Sequence, residues 1–272
     1  MEQYQQPQPD LQPALYLIPS DMSAAPVDFV IPPRNLQILA AIRYFIVENV
    51  REARRFIRRA LPHADITSLH FVELNRHTDL SIISQWLDPL RNGEPVGLLS
   101  DAGCPAIADP GAVMVEIAQR ESLKVVPLVG PSSILLGLMA SGFNGQGFCF
   151  HGYLPIDEAQ RADMLRKLED SSRHRDMTHI FIETPYRNNR LLRTLTNTLH
   201  GNTRICVAAD LTDPMTESVI TRTASQWSEM IDKVNYDKRP AIFLIYAAEI
   251  YNPRTPAGRK NGYRNTNTRK RR

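Results

Sequence analysis

Cysteine is scarce in this chain: three residues in 272, namely Cys104, Cys149 and Cys206, widely separated and without a CxxC spacing. That excludes a disulfide framework and a thiolate zinc site, and it fits a reducing cytoplasm. The seven histidines form no HxxxH or HxH pair, so no metal is expected. Long apolar runs are also missing. The best candidate, residues 128–143, is interrupted by Gly130, Pro131 and Gly137, which argues against a membrane span. There is no GxGxG fingerprint of a phosphate-cradling dinucleotide fold. Acidic residues are absent from Asn252 onward.

What is present is ordinary for a globular protein, 43% apolar and 22% charged residues, with length enough for one large or two small domains. The formal net charge of +3 hides an asymmetry. Eight of the basic residues lie after Asn252, leaving 24 basic against 29 acidic residues, a formal −5, in the rest. The basic tail, residues 251–272, is expected to be disordered in isolation. It reads equally well as a tether for an RNA phosphate backbone and as a solvated, solubilising extension. The polar, proline-rich residues 1–13 read as a loose arm, not as a secretory or transit signal.

Strand-like and helical patterns alternate through the chain, which predicts an α/β fold in two halves, residues 14–130 and 131–250. Strands are expected at 14–18, 44–47, 68–74, 96–99, 124–129, 148–154, 178–182, 204–209, 218–223 and 241–247. Helices are expected at 35–43, 51–61, 79–91, from 112, after Ser133, and at 157–170, 188–199 and 224–234. Leu80, Ile83, Leu87 and Leu90 supply the apolar face of the third of these. Two strand-to-loop-to-helix junctions stand out. One runs from residue 96 through Ser100-Asp101-Ala102-Gly103-Cys104-Pro105 and Asp109-Pro110-Gly111; the other ends in Gly130-Pro131-Ser132-Ser133. Such loops at the carboxyl ends of neighbouring strands are where open α/β sheets bind ligands.

These motifs, with Phe148-x-Phe150-x-Gly152-Tyr153-Leu154-Pro155, Glu183-Thr184-Pro185-x-Arg187 and Asp210-Leu211-Thr212 followed by Glu217, occur in one order over residues 14–247. In them the chain resembles the tetrapyrrole methylase superfamily of S-adenosylmethionine-dependent methyltransferases. Within it, the likeness is greatest to the bacterial branch that methylates ribose 2′-hydroxyls of small-subunit ribosomal RNA. The resemblance implies two α/β domains with the cofactor in the cleft between them, unlike the Rossmann-type methyltransferases, and a homodimer acting on ribosomal RNA. It places the cofactor against Ser20, Asp101, Gly103, Cys104, Ile107, Ser132 and Ser133, with Ile182, Ala209 and Ala241 from the second domain. The sequence departs from the branch at Pro19-Ser20-Asp21-Met22-Ser23, where a glycine is usual, at Glu48-Asn49-Val50-Arg51, and at Cys104, where threonine is usual. Two other readings follow: methylation of a small molecule such as a tetrapyrrole, or a cofactor-binding relative with impaired catalysis.

Methyl transfer needs a positioned nucleophile and gains from a base. Glu183, at the end of a strand, is the first candidate base, with Arg187 to pair with it or hold phosphate; the spacing alone also fits a structural i, i+4 ion pair. Asp101 and Asp109 are alternatives, Asp109 reading best as a helix N-cap. Ser132 too reads as a cap that can share its loop with a ligand. His151 reads as a lone structural histidine. The dense basic helix with Arg51, Arg54, Arg55, Arg58 and Arg59 reads either as a solvated face or as a phosphate-binding stripe.

Overall fold

The computed structural model describes residues 11–248; the first ten residues and the basic tail lie outside the described residues. The first half is built from β1 (Leu15–Leu17), α1 (Pro33–Ala41), β2 (Tyr44–Val47), α2 (Val50–Ala60), β3 (His70–Glu73), α3 (Asp88–Arg91), β4 (Val96–Leu99), α4 (Ala112–Arg120) and β5 (Val125–Pro127). The second half has α5 (Ser133–Ser141), β6 (Phe148–Tyr153), α6 (Glu158–Arg175), β7 (Thr178–Ile182), α7 (Asn188–Thr198), β8 (Arg204–Ala209), β9 (Ser218–Thr223), α8 (Ala224–Met230) and β10 (Ala241–Tyr246).

The first sheet is parallel throughout, in the order β3-β2-β4-β1-β5. Its centre, Val96-Gly97-Leu98-Leu99, is buried along its whole length, as a strand covered on both faces must be. Tyr16, Ile18 and Phe45 pack under α1 and α2 on one face. Leu15, Ile46 and Leu98 meet Leu87, Leu90, Met114 and Ile117 on the other. β1 and β4 are neighbours, but β1 leads on to β2 at one side and β4 to β5 at the other. That reversal opens a crevice at their carboxyl ends, so the loops after β1 and β4 emerge beside it.

The second sheet, β6-β7-β10-β8-β9, is mixed: β6 pairs parallel with β7, and the other pairs are antiparallel. α6, α7 and α8 cover one face through Leu165, Leu191, Leu195 and Trp227. The other face receives α5 through Leu138 and, from the first half, Met22. The two faces of this sheet therefore divide the labour: one builds a core and the other meets the first half.

One expected helix does not form as read. Within residues 79–91 only a 3-10 turn at Ile83–Leu87 and the short α3 appear, and Leu80 is exposed. Asp79 bonds the Ser81 N–H in a local turn, and Pro89, lacking an N–H, starts a helix but cannot continue one. α6 instead runs past the expected end at residue 170 to Arg175. Arg173, His174 and Arg175 complement the dipole of its last turn, and Asp176 ends it in a left-handed conformation. No described helix is long and apolar enough to cross a membrane.

Candidate active site

Three loops meet at the crevice. The loop after β1 pairs with the loop after β4: the Ser20 N–H donates to the Gly103 carbonyl at 3.0 Å, and the Gly103 N–H to the Ser20 carbonyl at 3.2 Å. Gly103 holds this bridge at φ +76°, a left-handed conformation natural to glycine. The loop after β5 closes over both. Gly130 lies so near Pro19 that a Cβ on it would stand 2.2 Å from the proline Cβ, and the Cys104 thiol donates to the Pro131 carbonyl at 3.3 Å. The small residues of the motifs are thus what lets three loops stack.

Asp109 does not cap α4, correcting the expectation. Its carboxylate sits before the helix and accepts the Ala106 N–H at 2.9 Å and the Gly111 N–H at 2.6 Å. These bonds hold Ala106 and Ala108 at φ +66° and +62°, costing about 1–2 kcal/mol each for a residue with a Cβ. Strain of this kind persists only where surrounding bonds over-determine it. Ser132 stands at the N-cap of α5, yet its hydroxyl makes no cap bond. The first N–H groups of that helix consequently face the cleft without a side-chain acceptor.

The cleft between the halves measures about 370 Å³, within the range of small-molecule sites. Asp101, Gly103, Cys104, Ile107, Ser132, Ser133, Ile182, Glu183 and Ala241 all line it. Three expected site residues do not. Ser20 lies beneath the floor, its hydroxyl donating to the Ser100 carbonyl at 3.1 Å. Ala209 is fully buried on the core face, and its neighbour Ala208 reaches the cleft instead. Arg187 stands behind Glu183, sending Nη2 to its Oε1 at 2.6 Å and Nε at 3.0 Å. The Thr184 N–H adds a third bond to the same oxygen, so Glu183 is a fixed, almost buried anion.

Sequence reasoning does not single out Met22, Glu48, Phe150, Tyr153 or Leu211 as lining residues. Glu48 carries a signal, standing one residue past the end of β2 on the binding edge. Its Oε2 accepts the Asp101 N–H at 3.3 Å. The Asp101 carboxylate itself has no partner among the described residues. The cleft walls strip water from it and the carboxylates of Glu48, Glu52, Glu73 and Asp109 crowd it, which together raise its pKa to about 6. Burial likewise raises the Cys104 thiol, keeping it protonated and unreactive.

Asn49 caps α2 by accepting the Arg51 and Glu52 N–H groups, so this departure from the family pattern has a structural use. His151 is not alone: its Nε2 lies 2.9 Å from Nδ1 of His179, whose pKa burial lowers to about 4 with His151 adding to the shift. The pair is uncharged at neutral pH and does not line the cleft.

No protein-family model matches the chain. The ribosomal RNA small subunit methyltransferase I of Vibrio cholerae serotype O1 is 32% identical over 204 residues, 75% of this chain and 67% of that protein. This chain belongs to the ribosomal RNA small subunit methyltransferase I family. The Pasteurella multocida member is 31% identical over 218 residues, covering 79% of this chain and 76% of its own. Among solved structures, the methyltransferase CobJ and the cobalt precorrin-4 methyltransferase CbiF superpose with TM-scores of 0.53 at 16% identity. They cover 80% and 86% of this chain, and 89% and 95% of their own. The family therefore carries the two-sheet α/β fold of tetrapyrrole methylases, not a Rossmann-type fold.

Proposed function

We propose that this protein is an S-adenosylmethionine-dependent methyltransferase that modifies a ribose 2′-hydroxyl of small-subunit ribosomal RNA, in the cytoplasm. The observation that carries the cofactor is the charge of the cleft. Glu48, Asp101, Asp109 and Glu183 line it, and among the described residues no lysine, arginine or histidine does. Such a site repels phosphate-bearing cofactors and suits a ligand of net positive charge. Bound S-adenosylmethionine supplies an electrophilic methyl group on a cationic sulfonium.

The chain's own groups fit that ligand. The open N–H groups of α5 and the Ser132 and Ser133 hydroxyls can hold a carboxylate. The backbone around Gly103 offers peptide groups to a base or sugar, between apolar Ile107, Phe150 and Ile182. The acceptor hydroxyl has to be held behind the methyl group, and its proton needs a carboxylate. Glu183, already accepting three N–H bonds, is suited to orienting neighbours. Asp101, unpartnered and poised near neutral pH, is suited to receiving a proton.

For the partner we propose a second copy of the chain. α5 has no charged residue on any face, and its Leu135 and Met139, one turn apart, stand 52% and 78% exposed. A helix apolar all round belongs under cover. Sedimentation at micromolar concentration should show a dimer, and a monomer alone would remove this part of the reading.

Calorimetry tests the cofactor directly, with saturable binding of S-adenosylmethionine expected at one site per chain. Transfer of a radiolabelled methyl group to unmethylated small ribosomal subunits tests the acceptor. Cofactor binding without transfer would point to an impaired relative, and no binding up to millimolar ligand would overturn the reading.

A further inference from the structure

We propose that the outer face of α2 is the docking rail for the RNA strand, gripping its phosphates beside the cleft. This rests on the reading of RNA as the substrate. At roughly 100° per residue, Arg51, Arg54, Arg55, Arg58 and Arg59 fall within less than half of the helix circumference. All five are exposed, while Ala53, Phe56 and Ile57 face the core. The helix is anchored to the cleft at both ends. Its cap, Asn49, follows the cleft-lining Glu48; near its other end Arg59 pairs with Asp21 at 2.6 Å, next to the cleft-lining Met22. The stripe therefore runs along one lip of the site.

Not every arginine is free for a ligand. Arg59 holds Asp21, Arg55 leans on Glu52 at 3.2 Å, and Arg54 stacks over the Phe71 ring at 5.2 Å. The side chains of Arg51 and Arg58 make no ion pair among the described residues, and they share one face. Arg51 is moreover the second residue of the helix, where the macrodipole disfavours a cation by about 0.3–1 kcal/mol. An arginine with no ion-pair partner among the described residues is available at that position to an external anion. The contrast also sorts the substrate: the carboxylates inside exclude phosphates from the cleft, and the arginines outside hold them along its edge. A strand so held can present a ribose to the cleft without bringing its phosphates in.

The experiment compares the full-length wild type with Arg51→Ala/Arg58→Ala, and with the charge-reversed Arg51→Glu/Arg58→Glu. A short single-stranded RNA and unmethylated small ribosomal subunits serve as probes over a salt series. Because the tail is kept in every protein, its contribution cancels. Loss of two phosphate contacts should lower the slope of log affinity against log salt by about 1.4 and weaken binding roughly tenfold, more for the reversal. Methyl transfer should show a raised KM with kcat kept, and S-adenosylmethionine binding should be unchanged. Wild-type affinity and slope in both variants would overturn the rail while leaving the methyltransferase reading intact. A wild type that shows no salt-dependent binding to either probe would overturn the rail together with the reading of RNA as the substrate.

Discussion

Gly103→Val is expected to lower S-adenosylmethionine affinity by at least about 100-fold and to leave the protein folded. Two effects combine at this position. Gly103 has φ +76°, where a β-branched residue is strained by about 1–3 kcal/mol. A Cβ there would also stand 3.3 Å from the Pro131 carbonyl and 3.5 Å from the Met22 sulfur, and the γ-methyl groups of valine would reach further. Relief requires Gly103 to move, which breaks its two bonds to Ser20 and shifts the loop that carries Asp101 and Cys104. Against a typical domain stability of about 5–15 kcal/mol, such strain is tolerable. Against a cleft whose walls are these three loops, it is not. Calorimetry with a thermal melt separates the outcomes: a cooperative melt a few degrees low with no ligand heat is expected, and wild-type affinity would mean that the cofactor lies elsewhere.

Gly103 is legible in the sequence for reasons of chain chemistry. Glycine, proline and serine interrupt apolar runs at residues 100–105 and 130–133, and an α/β chain has few reasons to break there other than a binding edge. Strands read well for the same reason, since short apolar runs bounded by such residues leave little choice. Pairings distant in sequence do not read. Nothing near His151 announces His179, 28 residues on, and nothing near Asp21 announces Arg59, 38 residues on. Local patterns mislead twice. Asp109 before Pro110-Gly111 has the look of a cap, but its carboxylate is drawn back to the Ala106 N–H, and the helix starts beyond it. The apolar spacing over residues 79–91 suits a helix whose continuity Pro89 and the Asp79 turn deny. Site residues chosen by motif fall in the cleft when they stand in the loops or at the element ends that face it, and miss it when, like Ser20 and Ala209, their side chains turn to backbone or core.

The charge of the cleft leads to the second large effect, in which stability and binding move in opposite directions. In the folded chain Asp101 titrates near 6, above its ordinary 3.8, because burial and then Glu48, Glu52, Glu73 and Asp109 disfavour its anion. A carboxylate raised in the fold keeps its full contribution to the folded state below its ordinary 3.8 and loses it as pH rises from there through about 6. Above that pH the ionised Asp101 therefore destabilises the free protein. Asp101→Asn should remove the cost. The group opens to solvent, so screening cuts the gain to about 1 kcal/mol, or roughly 2–4 °C in Tm at pH 8, about half of that at pH 5, and nothing once pH is below about 3. The same charge serves the cation. S-adenosylmethionine affinity should be highest above pH 7 and fall as pH drops through 6, whereas S-adenosylhomocysteine, lacking the sulfonium charge, should hardly respond. In Asp101→Asn the preference for the charged ligand should shrink by about tenfold at pH 8, and its pH dependence should flatten. A variant that is both more stable and a poorer discriminator would mark Asp101 as a residue held at the expense of stability for its ligand. Equal discrimination in the two proteins across pH 5–8 would assign that charge to Glu183 or Glu48, and leave Asp101 only the proton.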